Sequence, residues 1–413
     1  MIIKVTMLLI FFALMIYIGF YCRKHATDVN GFVLGSRNVG PWLTAFAYGT
    51  SYFSAVIFIG YAGQFGWNYG ISSTWIGIGN ALIGSMMAWV ILGRRTRIMT
   101  NHINSATMPE FFGKRFDSKA LKIGASAIVF VFLIPYTASL YNGLSRLFGM
   151  AFGIENYTIC IVIMAALTGI YVIAGGYMAT AINDFVQGII MLIGIVAVIA
   201  AILHDNGGFM EAITSLAKVT DETVSTQPGA FASFFGPDPL NLLGVVILTS
   251  LGTWGLPQMV QKFYAIKSEK AISKGTIIST FFALIIAGGC YFLGGFGRLY
   301  SDRIVVTAGK IDMDSIIPSM LSDMTPFLMG LVVILVLSAS MSTLSALVMA
   351  SSSTLTLDFI KDNLIKNMNE KKQVRLIRIL IVVFVVISAV IAVYQYTSKN
   401  TFIAQLMGIS WGA

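Results

Sequence analysis

The sequence predicts an all-α polytopic membrane protein. Of its 413 residues, 57% are hydrophobic and only 11% charged, and its mean hydropathy is +0.82. Apolar runs of roughly 20 residues, long enough to cross a hydrocarbon core of ~30 Å, recur along the whole chain. A soluble domain would carry about a quarter charged residues. The 40 glycines and 12% aromatic residues suit helices packed closely in a bilayer.

Ten full spans are expected, at about 3–22, 42–66, 72–92, 121–148, 156–175, 180–203, 240–263, 274–297, 325–357 and 376–396. An eleventh begins near Thr401, and Ala413 falls about 13 residues into it, too few to cross. A natural end at that depth would leave helix carbonyls unsatisfied in lipid, so a truncated chain is expected. The first run, Ile2 to Tyr21, lacks a small-residue cleavage site and is followed by Arg23 and Lys24, unlike a signal peptide.

The net charge of +9 is read as topology and not as nucleic-acid binding. Arg23, Lys24 and Arg37 follow span one, and a cluster from Arg94 to Lys122 follows span three. Lys262, Lys267, Lys270 and Lys274 follow span seven, and Lys361 to Arg378 follow span nine. The loop of about 204–239 carries only Lys218 against five acidic residues. Exits of odd spans are therefore cytoplasmic, and the N-terminus lies outside an inner membrane. Arg298, Arg303 and Lys310 run against this bias, partly balanced by Asp302, Asp312 and Asp314. Three cysteines and three histidines show no pairing or metal-ligand spacing.

Four segments carry candidate chemistry. Asp184 lies near the start of span six, where a carboxylate is either a cation ligand (or a relay to one) or a cap on a helix N-terminus. In span two, Gly49, Thr50, Ser51 and Ser54 permit a broken helix whose freed carbonyls would suit sodium, or else form a small-residue packing seam. In span nine, Ser342 and Ser345 share a face, with Ala339 and Thr343 beside Ser342. Such an all-oxygen set suits a hard monovalent cation rather than zinc or iron. Span seven carries Gly252, Gly255 and Pro257, a second expected break. Breaks five spans apart are the signature of two inverted repeats with substrate bound between them.

With these residues the chain resembles the sodium:solute symporter family along its whole length. The resemblance is carried by Phe32-Val-Leu-Gly-Ser-Arg37, Gly175-Gly-Tyr177, Asn183-Asp184-Phe-Val-Gln187, Gly255-Leu-Pro257 and Met341-Ser-Thr-Leu-Ser345. It implies one transporter domain over 1–413 with a LeuT-like five-plus-five inverted-repeat bundle. Span one would be peripheral, the first repeat would cover about 42–203, and the second would run from about 240 to the end.

It further implies a sodium ion held by the carbonyls of Thr50, Phe53 and Ala339 and the hydroxyls of Ser342 and Thr343. Some relatives bind a second sodium, to which Asp184 and Ser345 correspond; Ala346 lacks a hydroxyl such relatives can have, so one sodium is expected. Proline symporters of the family carry aspartate at the position of Tyr52 and tryptophan at those of Val56 and Thr249. These departures count against proline. The run Tyr52 to Gly60 and the Gly255-Leu-Pro257 neighbourhood look closer to the pantothenate-type branch, implying a carboxylate-bearing solute such as pantothenate, an amino acid or another monocarboxylate. Gln64, Tyr136, Trp254 and Gln258 are further pocket candidates, or else core aromatics and polar caps.

The expected function is sodium-coupled symport by a monomer in the bilayer. Proton-coupled or uncoupled transport through Asp184, and a symporter-like sensor domain, are the alternatives. No Ser/His/Asp or Cys/His grouping, metal motif or phosphate-cradling loop suggests an enzyme.

Overall fold

A computed structural model describes residues 2–153, 156–307, 310–365, 368–398 and 408–410. Seven helical stretches are long and apolar enough to cross a membrane, and a bent pair makes an eighth. Two stretches, Val56–His102 and Thr158–Asp205, are 47 and 48 residues long. The first turns at Gly70 (φ 61°) and the second at Gly176 (φ 59°), so each serves as two crossings. The ten spans expected from the sequence are all present. The eleventh lies almost entirely outside the described residues.

Local chemistry sets where the helices start. Ser118, Asn156, Asp238, Ser268 and Thr325 each accept, through the side chain, a backbone N–H of the first turn of spans four, five, seven, eight and nine. These caps satisfy donors that lipid could not. Proline at the first helical position, in Pro41, Pro239 and Pro326, adds a preset backbone where no N–H is needed.

Both predicted breaks occur. Span two is helical over Pro41–Tyr52 and stops at Phe53, whose backbone is extended (φ −85°, ψ 123°). It resumes as a π-turn over Val56–Tyr61 and a helix over Ala62–Tyr69. In span seven, Pro239–Gly255 and Pro257–Ala265 meet at 52°, with Leu256 extended at the joint. Pro257 cannot donate to the preceding turn, which fixes the break there.

Span nine, Pro326–Thr354, is the axis of the bundle. Of its most apolar stretch 94% is buried, against at most 56% for the six other long apolar stretches. It packs on spans four, five and six and on the first half of span two. Span eight, Glu269–Gly294, crosses the second half of span two so closely that only glycine fits. A Cβ on Gly66 would lie 2.0 Å from the Gly294 carbonyl oxygen, and one on Gly294 would lie 2.0 Å from that of Ala62. Gly66→Leu is expected to force these helices apart and lower the melting temperature of detergent-solubilised protein by several degrees, read by size-exclusion chromatography after heating.

Two charge assignments made from sequence are corrected. Lys262 is not a loop cation. It sits on the final helix of span seven, 2% exposed. Arg298 is balanced by Asp221, at 2.7 Å, and not by the aspartates near it in sequence. Its guanidinium lies between the rings of Trp67 and Phe231 and donates to the Trp67 carbonyl at 2.6 Å. Burial works against the Asp221 carboxylate, but hydrogen bonds from Thr223 and Arg298 outweigh it and bring its pKa down to about 2. This clamp ties the 204–239 loop to the far end of span two and stays charged at any physiological pH.

Candidate functional site

The break in span two faces one turn of span nine. The Ser342 hydroxyl is 3.1 Å from the Thr50 carbonyl oxygen and 3.0 Å from that of Ala339. The Thr343 hydroxyl is 3.1 Å from the carbonyls of Thr50 and Phe53 and 3.0 Å from that of Ala339. All five residues are buried. They are the five that the resemblance implied, drawn from positions nearly 300 apart in sequence.

The proton count explains what this cluster can do. Each hydroxyl has one proton to donate. Between them the two oxygens approach carbonyls at five short distances, so the cluster presents more lone pairs than protons. Surplus lone pairs converging in a buried, low-dielectric place favour a bare cation with oxygen preference. The second half of span two is pinned as well, because the Ala55 N–H donates to the Ser340 hydroxyl at 3.2 Å. Span two is thus open at Phe53 with the Thr50 and Phe53 carbonyls facing span nine, while Gly49 packs closely on Phe282 of span eight.

Asp184 is fully buried within span six, well beyond the turn at Gly176, so it does not cap a helix. Its carboxylate faces the Lys262 ammonium at 3.7 Å. Ser345 donates to its own helix, at the Ser342 carbonyl, 2.9 Å away. Tyr171 links the two regions: it donates to the Met341 carbonyl at 2.9 Å and lies near both Ser345 and Asp184. Asn183 and Gln187 turn instead to Met15 of span one.

The pocket candidates separate into groups. Tyr52 lines a cavity of about 10 Å³ with Tyr48, Asn80, Ser85, Thr253 and Met259, between spans two, three, seven and eight. Thr249 does not line it, but donates to Asn80 Oδ1 at 3.2 Å; Ser250 does the same at 3.1 Å. Val56 and Tyr136 are buried in the core nearby. Gln258 is fully buried, and its amide has no hydrogen-bond partner among the described residues. Trp254 donates to the Ile83 carbonyl at 2.9 Å and serves as a strut. Gln64 is half-buried on the second half of span two and does not line this cavity. A cavity this small admits about one water. A solute therefore enters only if these spans part.

Sequence reasoning missed Asn80 and Lys262. Asn80 had a signal: it is an amide in the middle of an apolar span, where polar groups are costly. Lys262 lay at a span edge, where lysine reads as topology. A concavity of about 740 Å³ between spans five and ten is lined almost wholly by apolar side chains such as Ile161, Val385 and Val390. It carries nothing to recognise a polar solute. Among the described residues no group of His, Cys, Asp or Glu could hold a transition metal.

Membrane-embedded helices broken at matching points, with an oxygen cluster at one break, define a cation-dependent carrier bundle. The sequence profile of the sodium:solute symporter family matches residues 32–413, and the chain belongs to that family. It is 30% identical over 406 residues to the osmoregulated proline transporter OpuE of Bacillus subtilis, covering 97% of this chain and 79% of that one. It is 31% identical over 415 residues to sodium/proline symporter 2 of Staphylococcus saprophyticus, covering 98% and 77%. The fold is that of a Na+-coupled sialic acid symporter (TM-score 0.82, 18% identity, 99% of this chain and 84% of that one). The nucleobase-cation-symport-1 family transporter Mhp1 is more distant (TM-score 0.53, 15% identity, 92% and 76%). The bundle is LeuT-like, as expected. The leaning toward a pantothenate-type branch finds no support in these relatives, which are proline transporters.

Proposed function

We propose that this chain imports a small carboxylate-bearing solute with one sodium ion, which binds between the break of span two and Ser342–Thr343 of span nine. The observation that carries the proposal is the oxygen cluster itself, five ligands of the right kind already gathered where the helix is open. Sodium there would hold span two against span nine. The two repeats, from about 42 and about 240, would then rock about this fixed point. Since solute and sodium share the broken span, each should tighten binding of the other by the same factor.

The solute is read as amino-acid sized, and proline is the first to test because relatives at 30–31% identity carry it. Tyr52 gives the cavity wall a neutral side chain where proline symporters have aspartate, which favours a different small acid. Purified protein should melt higher in sodium than in potassium, and the true solute should add stability only in sodium. At a hundredfold excess over Kd each ligand contributes about 2.7 kcal/mol. Equal melting in both salts across proline and other small carboxylates would remove the proposal.

The proposed orientation puts the odd-span exits in the cytoplasm. A cysteine at exposed Arg115 should react with a membrane-impermeant maleimide only in inside-out vesicles, and a cysteine at Glu222 only in right-side-out ones.

A further inference from the structure

Of the ion pairs among the described residues, one has both side chains almost fully buried: Asp184 and Lys262, at 0% and 3% exposure and 3.7 Å apart. Neither carboxylate oxygen of Asp184 has a hydrogen-bond partner among the described residues. Lys262 is the sole cation facing it there, with its ammonium also 5.1 Å from the centre of the Tyr177 ring. A lone buried carboxylate is very costly unless it is neutralised or faces a cation, and Lys262 is the cation placed against this one.

Hydroxyl-bearing residues lie in the neighbourhood of that carboxylate. Tyr171 and Tyr177 both lie within its electrostatic reach, and Tyr171 lies beside Ser345. Ser345 is one turn past Ser342, whose carbonyl it contacts. An ammonium and a sodium ion carry the same single charge, and two such cations on one carboxylate would repel strongly in a low-dielectric place.

We infer that the Lys262 ammonium is a built-in cation on Asp184, filling the place a second sodium ion would otherwise take, and so fixes coupling at one sodium. The pair joins span six to the final helix of span seven. The closing contact is reinforced beside it: the Val39 N–H donates to the Ala265 carbonyl at 3.2 Å, and the Lys267 N–H to the Val39 carbonyl at 3.0 Å. Lys262 is tethered where a free ion could leave, so Asp184 remains compensated through the whole transport cycle. This inference rests on the sodium-symport reading and deepens it.

The test needs sodium alone and no solute. Radioactive sodium binding at saturation to the purified full chain should give one ion per protein in the wild type. Lys262→Gln keeps the length of the polar side chain but frees Asp184, and should give two. The double variant Asp184→Asn/Lys262→Gln should return to one, and Lys262→Gln should be stabilised by sodium more than the double variant. Two ions in the wild type would overturn the inference without any variant being made, and so would a count of one in a folded Lys262→Gln protein. No sodium in the wild type would overturn the symport reading, and this inference with it, and is distinguishable from both.

Discussion

With Ser342 and Thr343 both replaced by alanine, sodium half-saturation is expected to rise by about 100-fold or more. Each hydroxyl is a neutral oxygen ligand held against a buried ion, and a hydrogen-bond-scale contact to charge is worth about 1.5–3 kcal/mol, a factor of ten or more apiece. Both side chains are fully buried on the central helix, and alanine keeps that helix intact. Some stability should be lost, because the Thr50 and Phe53 carbonyls lose the hydroxyl donors that reach them. In the fraction that elutes as folded protein, solute binding should lose its response to sodium. An unchanged half-saturation in solute-stimulated sodium uptake would mean that the ion binds elsewhere.

Removing one member of the Asp184–Lys262 pair should have the largest effect on stability. Breaking a buried ion pair leaves an uncompensated charge and costs about 3–5 kcal/mol, while replacing both partners can be close to neutral. In potassium buffer, Asp184→Ala and Lys262→Ala should each express poorly and melt far below the wild type. Asp184→Asn/Lys262→Gln should recover most of the loss. If the single variants melted as the wild type does, water would have to reach this pair, against its near-complete burial.

Much of this was legible in the sequence for a physical reason. Lipid leaves a helix few options, so apolar length gave the spans. Glycine and proline in a membrane helix must have a purpose, so Gly252, Gly255 and Pro257 marked a real break at Leu256. The proposed ligand set was completed through the family resemblance: Thr50, Ser342 and Thr343 stood out as oxygen-bearing positions in apolar spans, but nothing local in Phe53 or Ala339 distinguishes a ligand from packing. Their meeting is a tertiary fact that brings together residues 292 and 290 apart, as in Ser342–Thr50 and Thr343–Phe53.

What the sequence hid was the fate of ambiguous charges. Lys262 and Arg298 each sat where a loop lysine or arginine is ordinary, and only packing shows them buried against distant aspartates. The solute pocket was the hardest part. Tyr52 does line the closed cavity, but Asn80 and Thr253 join it from other spans, and Gln64 and Trp254 do other things.

The most direct measurement is an experimental density map of the purified chain in sodium, compared with one in choline. A sodium-dependent peak should stand among the carbonyl oxygens of Thr50, Phe53 and Ala339 and the hydroxyls of Ser342 and Thr343, with Lys262 still on Asp184. Sodium bound at some other place, with those five oxygens left contacting only one another, would contradict the account.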